Sequence, residues 1–402
     1  KIVIPEGVTS IGERTFESCN DLEEIVLPGT LETIENHAFY YCPKLTTIEF
    51  PESLQKIGDN AFSQCLALKE VNLPNSLQEI GEGAFSSCEA LESIILPEGI
   101  TTIDEYTFYG CSALKSVFIP KGVTEIKWEA FADCAALESI YIPEGVTDID
   151  FDAFSECEAL SSVTLPASLT DLSGSAFEGC QSLGTVILAP GNTSYQVQEN
   201  AILTADGTTL VAYFDGDYKT SFTIPAGVTT IGSYSFSKCP NLRMVIVSEG
   251  VTTIEKSAFY YCEELENVSI PASVTNCTAP CSSCSALTVV SVSQDNPNYQ
   301  VLNGLLMSKD GTTLVAYLYG ATGDTLVLPE GITSIEPYAF DNLNDYSIQR
   351  LVLPQSITSL EDNFSIGEDS LRYTSVAIVA PKDSAVYAYA EEQGIDVEAS
   401  GD

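Results

Sequence analysis

The chain has 402 residues, 57 of them acidic and 16 basic, a formal charge of −41. That field repels phosphate backbones and anionic headgroups and excludes nucleic acid and bare membrane as natural partners. The composition is 45% hydrophobic and 18% charged, enough for a continuous core. No run of 18 apolar residues occurs, so no direct membrane insertion is expected. The chain opens in mid-pattern (KIVIPEGVTSIG), without signal peptide or initiator Met, as a mature or truncated form would.

From the first residues onward one pattern returns every 23 positions. Cys19, Cys42, Cys65, Cys88, Cys111, Cys134, Cys157 and Cys180 form one column. Phe16 to Phe177 keep the same step three residues ahead, and Pro5 to Pro166 form a third column in register. Three such columns mark a repeat array. One unit is LESIILPEGITTIDEYTFYGCSA, Leu91 to Ala113. Within it Ser93–Leu96 reads as a short strand with period-2 alternation, stopped by Pro97. Ile100–Ile103 reads as a second extended segment, and EYTFYGC has the spacing of a single helical or 3₁₀ turn. A unit this small cannot bury its Leu, Ile and Phe alone; stacked on a neighbour it can, which predicts a β-rich solenoid. A long parallel β-sheet should lie on one face, with short strands and turns on the other.

The array is interrupted twice. GNTSYQVQENAILTADGTTLVAYFDG follows Pro190 and QDNPNYQVLNGLLMSKDGTTLVAYLYG follows Ser293, aligned at an offset of 104. Each reads as a β-hairpin insertion with an Asp-Gly turn. Regular units resume at Pro225, run through Cys239 and Cys262 to a degenerate unit near Cys284, and resume again at Pro329. The ending VAIVAPKDSAVYAYAEEQGIDVE predicts a strand, a helix over Ser384–Gln393 and a last strand, suited to a terminal cap. The expected organisation is one continuous solenoid: repeats over 1–190, a hairpin insert over 191–220, a second repeat block over 221–293, a second insert over 294–325, and last repeats with the cap over 326–402.

The LPxGVTxIGxxAFxxC core, the NxxYxV…DGTTLVAY insert and the APKDSAVYAYAEEQGI ending make the chain similar to the BspA-like leucine-rich repeat family of bacterial surface proteins. The resemblance covers essentially the whole chain. It implies a right-handed leucine-rich repeat solenoid at the bacterial cell surface or secreted, with a role in adhesion and with no catalytic residues. In the commoner leucine-rich pattern an Asn or Cys follows the strand, whereas here Cys19 or Cys88 precedes the leading Leu by three residues.

The thirteen cysteines suggest either a disulfide or metal framework or a column of buried thiols. Equivalent positions in stacked units lie about 4.8 Å apart with parallel Cβ vectors, whereas a disulfide needs Cβ atoms about 3.8 Å apart and turned together. The column Cys19 to Cys180, continued by Cys239 and Cys262, is therefore read as packed thiols. Cys277, Cys281 and Cys284 fall off the 23-residue step, and a local disulfide among them stays open; zinc would need a further ligand. His37, the single histidine, occupies a variable position shared with Arg14, Asn60 and Gly83 and reads as surface usage. Asp295-Asn296-Pro297-Asn298 lacks the spacing of a calcium loop. Asn192-Thr193-Ser194 is a glycosylation triplet that a bacterial source would not use. No metal or cofactor is expected, and an enzyme reading has nothing to stand on.

What remains is the solvent side of the sheet. Its exposed row should run Val3, Val26, Glu49, Asn72, Ile95, Phe118, Tyr141, Thr164, Ile187, with Ile95, Phe118 and Tyr141 stacked as one apolar patch. The neighbouring row, Ser93, Ser116 and Ser139 among others, would leave it accessible. The competing explanation is strand propensity alone. Trp128 and Phe151 replace the polar Glu13, Asn36, Asp59 and Glu82 of other units and form a second candidate contact. These features point to a non-enzymatic, monomeric surface or secreted module that binds an extracellular protein or glycan. The alternative is a rigid acidic spacer within a larger surface protein.

Overall fold

The computed structural model describes residues 1–216, 218–318, 324–336, 339–340, 348–357, 376–393 and 396–400. The chain divides into two compact units, Lys1–Asp206 with Val211–Asp217, and Gly207–Leu210 with Tyr218–Asp402. Each is built from β-solenoid turns of about 23 residues.

In the first unit every repeat contributes two short strands. The first lies at Ser93–Ile95 and its equivalents Glu70–Asn72 and Ser116–Phe118; the second lies at Thr102–Ile103, Glu125–Ile126 and Asp148–Ile149. All pair in parallel at the repeat step: Ile94 sits beside Val71 and Val117, and Ile103 beside Ile126. Alternation within each strand sends Ile94 inward and Ser93 and Ile95 outward. Leu91, Ile94, Ile103, Phe108 and Cys111 are buried in one core, which repeats from unit to unit. The phenylalanines stack face to face along it, with ring centroids 5.1 Å apart from Phe39 to Phe62, 5.3 Å from Phe108 to Phe131 and 5.4 Å from Phe154 to Phe177.

The segment after the second strand corrects the expectation of a helical or 3₁₀ turn. Residues 105–110 form successive turns, with Tyr106 at φ 56° and Gly110 at φ 68°. The amides alternate in direction. Those of Thr107, Tyr109 and Cys111 donate to the carbonyls three residues earlier, whereas those of Tyr106, Phe108 and Gly110 donate to Trp128, Ala130 and Ala132 of the next unit. A left-handed residue turns every second amide outward, so the stack supplies the hydrogen bonds that a helix would make internally. The same position carries Arg14, His37, Asn60, Glu129 and Asp152 with φ between 50° and 57°.

The insertions also differ from a simple hairpin. In the second unit Tyr299–Leu302 pairs antiparallel with Leu305–Ser308, which pairs antiparallel with Thr313–Tyr317. Three strands result because Asn303-Gly304 makes an additional tight turn, with φ 50° and 77°, ahead of the Asp310-Gly311 turn. In the first insertion Tyr195–Gln198 pairs antiparallel with Ala201–Thr204, joined through Glu199 at φ 54°.

An asparagine anchors each insertion. Asn296 is buried; its Nδ2 donates to the carbonyls of Pro271 and Val274, and its Oδ1 accepts from the amides of Asn298 and Tyr299. Asn192 repeats this on Pro166, Ser194 and Tyr195. The carboxamide of the Asn192-Thr193-Ser194 triplet is thus used internally. Within the second unit Phe236 and Phe259 pack ring against ring at 5.2 Å. The chain's last described elements are the strand Ala377–Ala380, the helix Ala385–Gln393 and the strand Val397–Ala399, the two strands pairing in parallel. Ser384 stands just before the helix as its cap, its Oγ accepting from the amide of Tyr387 at 3.1 Å. Val386 and Ala390 bury the helix's inner side.

Candidate binding surface

The cysteines of the column are hydrogen-bonded from repeat to repeat. Cys42, Cys65, Cys88, Cys111, Cys134, Cys157 and Cys180 are buried, and each Sγ donates to the carbonyl of the Phe 26 residues earlier, at 3.1 to 3.4 Å. Cys262 donates likewise to Phe236 at 2.9 Å. Cys19 is half-buried. Burial pushes the Cys42 thiol up to about 11 and the Cys111 thiol up to about 12, so neither is a nucleophile near neutral pH. Spacing alone had indicated packing; the weak S–H donor to the preceding unit's carbonyl is an additional reason for cysteine there.

All thirteen cysteines are free thiols. Cys277, Cys281 and Cys284 are buried without a disulfide among them. Cys277 takes the place of Ile254 in the strand register. Pro280, bonded through its carbonyl to the amide of Phe259, takes the place of the alanine before the stacked ring, so Cys281 stands in the phenylalanine column. Cys284 keeps the regular bond, its Sγ donating to the Phe259 carbonyl at 2.9 Å. Among the described residues no group of three or more His, Cys, Asp or Glu side chains could hold a metal ion.

His37 is not a loose surface residue. It lies half-buried in the left-handed turn position at φ 56°, its ring 5.5 Å from Tyr40, with a buried Nδ1 that has no partner. The turn, rather than solvent, defines its surroundings.

The sheet row is where the alternation places it. Ile95, Phe118 and Tyr141 are 69%, 55% and 64% exposed. Ile95 and Phe118 are direct partners in the parallel register. Ser93, Ser116 and Ser139, one row away, are exposed and too short to cover the patch. Beside it lies an open hollow of about 410 Å³ lined by Glu70, Asn72, Ser93, Ile95, Glu98 and Phe118. Beyond Tyr141 the half-buried Thr164 interrupts the row before exposed Ile187. In the second unit the equivalent run Thr223, Ile246, Ser269 carries only one large apolar side chain. The three-residue patch is therefore a local feature of a few repeats.

Trp128 and Phe151 sit in the turns after the second strands, not in the sheet with Phe118 and Tyr141. Trp128 packs against Tyr106, ring centroids 5.1 Å apart. Periodicity did not single out Tyr106, because in other units its column holds Arg14, His37, Asn60 and Gly83. Burial, followed by the charges of Glu129, Glu105 and Glu82, raises the Tyr106 phenol above its ordinary range. Burial raises the Glu82 carboxyl too, helped by Glu105, Asp59 and Asp104. The nearby ammonium of Lys127 is engaged by Asp104 at 2.7 Å.

The sequence model described as a BspA type leucine rich repeat region (6 copies) matches residues 1–115, 78–202, 211–301 and 317–375. The chain belongs to this BspA-type leucine-rich repeat family. Solved structures similar to it include a leucine-rich cell surface protein from Faecalibacterium prausnitzii, 26% identical, covering 100% of this chain and 91% of that one at a TM-score of 0.49. Another is a leucine-rich repeat protein from Bacteroides ovatus, 23% identical, covering 94% and 91% at a TM-score of 0.49. The pneumococcal vaccine antigen PcpA is 20% identical, covering 100% and 89% at a TM-score of 0.42. No curated protein matches the chain. BspA-like leucine-rich repeat proteins are cell-surface or secreted, and proteins of this kind generally bind proteins or other ligands. Among the described residues no helix is long and apolar enough to cross a membrane.

Proposed function

We propose that this BspA-type chain is a non-enzymatic adhesion module, secreted or displayed on the cell surface, that binds an extracellular protein or glycan through the sheet row Ile95, Phe118 and Tyr141. The observation that carries the reading is the exposure of three large apolar side chains at consecutive repeats, framed by serines that leave them open. An apolar cluster of this kind, with a hollow beside it, has the character of an interface core ringed by polar groups. The inward positions of the same strands, Ile94, Val117 and Ile140, supply the apolar contacts to the core.

The test is a pull-down of extracellular-matrix and bacterial-surface proteins on the full chain, repeated with Phe118→Ala plus Tyr141→Ala. A partner held by the native chain and released by the double variant supports the sheet face. Equal capture by both removes that face from consideration. The stacked phenylalanine column and the charge of −41 also favour a second reading, a stiff acidic spacer, and a chain that captures nothing in that screen supports it instead.

A further inference from the structure

We infer that the turns around Trp128 form a second binding site, which takes a lysine or arginine side chain of a polypeptide partner between aromatic rings and carboxylates. The inference deepens the adhesion reading but uses residues other than those of the sheet row. Trp128 is 40% and Phe151 52% exposed, in a column that carries Glu13, Asn36, Asp59 and Glu82 in earlier repeats. Tyr106 lies against Trp128 at a tilt of 56°, and Tyr109 meets Tyr106 edge-on at 6.0 Å. Rings inclined to one another leave π faces to which a cation is attracted, and indole binds most strongly of the three ring types.

Charge decides which ligand those faces suit. Glu82, Glu105 and Glu129 all act on the Tyr106 phenol and so surround it with negative potential. Lys127, the cation among them, is already held by Asp104. Among the described residues neither Glu82 nor Glu105 forms an ion pair. A partner ammonium or guanidinium would relieve the repulsion among these carboxylates while stacking on the rings. A neutral sugar would gain the stacking alone, and an anion would be repelled.

Trp128 is the chain's only tryptophan, so its emission reports on the site directly. The full chain is titrated with pentalysine, with pentaglutamine and with maltopentaose. Pentalysine is expected to give a saturable change in emission that the other two do not give. Its Kd should rise at least about fivefold in Phe151→Ala and in Glu105→Gln, both of which keep the reporter, and rise further as salt increases from about 50 to about 200 mM. Phe118→Ala plus Tyr141→Ala should leave the titration unchanged, so failure here leaves the sheet face to its own test. Melting curves of the variants verify folding. The inference is overturned by the absence of a saturable change, by equal affinity in Phe151→Ala and Glu105→Gln, which would mean diffuse attraction to an acidic chain, or by saturation with maltopentaose alone.

Discussion

Cys88 is the clearest case of a reactive residue type put to structural use. Fully buried, it donates through its Sγ to the Phe62 carbonyl at 3.3 Å, and burial holds its thiol well above the ordinary range. Cys88→Ala removes a small packed group and a weak hydrogen bond, and is expected to lower stability by about 1 kcal/mol in denaturant unfolding without changing binding. Phe85→Ala, three residues earlier in the same unit, interrupts the ring stack between Phe62 and Phe108 and should cost about 3–5 kcal/mol. Rapid alkylation of the native chain near neutral pH should label the half-buried Cys19 first, and denaturation should expose all thirteen thiols; a count of eleven would reveal a disulfide and contradict the free-thiol column. At the surface, Glu125, Asp148 and Asp171 stand side by side in the parallel register. Burial first, then Asp171, raises the Asp148 carboxyl above the ordinary range of an aspartate. The folded state therefore holds that proton more tightly than the unfolded chain, so this group's penalty is present at neutral pH and fades as pH falls through its raised range. Asp148→Asn should stabilise the protein by roughly 0.2–1 kcal/mol at pH 7, like charges directly opposite being unfavourable, with the two melting temperatures converging as pH falls below the ordinary range of an aspartate.

At the scale of elements, the strands were legible because period-2 alternation and proline stops act locally: Ser93–Ile95 is followed by its proline two residues later, as expected. The turns were not, because their left-handed residues carry ordinary side chains. Tyr106, Glu129 and Asp152 have φ of 56°, 50° and 57° without being glycine, and what holds them there is amide bonding to the next repeat, a long-range effect invisible to local propensity. For the same reason the Tyr106–Trp128 contact was missed, since it joins adjacent columns of neighbouring units rather than one column. The insertions were found by their internal similarity, but the additional strand depends on Asn303-Gly304 and Glu199 turns that the Asp-Gly signal overshadowed. Their attachment depends on Asn296. Its replacement by alanine leaves the amides of Asn298 and Tyr299 and the carbonyls of Pro271 and Val274 without their partner, and should cost about 1–3 kcal/mol in unfolding.

At the scale of the whole molecule, the 23-residue step fixes which side chains share a face, so the row Ile95, Phe118, Tyr141 could be named from spacing and is found exposed. Spacing could not show that Thr164 interrupts the row or that the run Thr223, Ile246, Ser269 carries one large apolar side chain, because those follow from which residues happen to occupy one column in each repeat. The proposed contact accordingly lies on a few repeats of the first unit. The measurement that bears most directly on this account is the affinity of a partner captured from extracellular-matrix and bacterial-surface proteins for the native chain and for Phe118→Ala plus Tyr141→Ala. The account predicts a Kd at least about tenfold higher for the double variant, a difference of about 1.4 kcal/mol, at an unchanged melting temperature. Equal affinities for the two chains would contradict it.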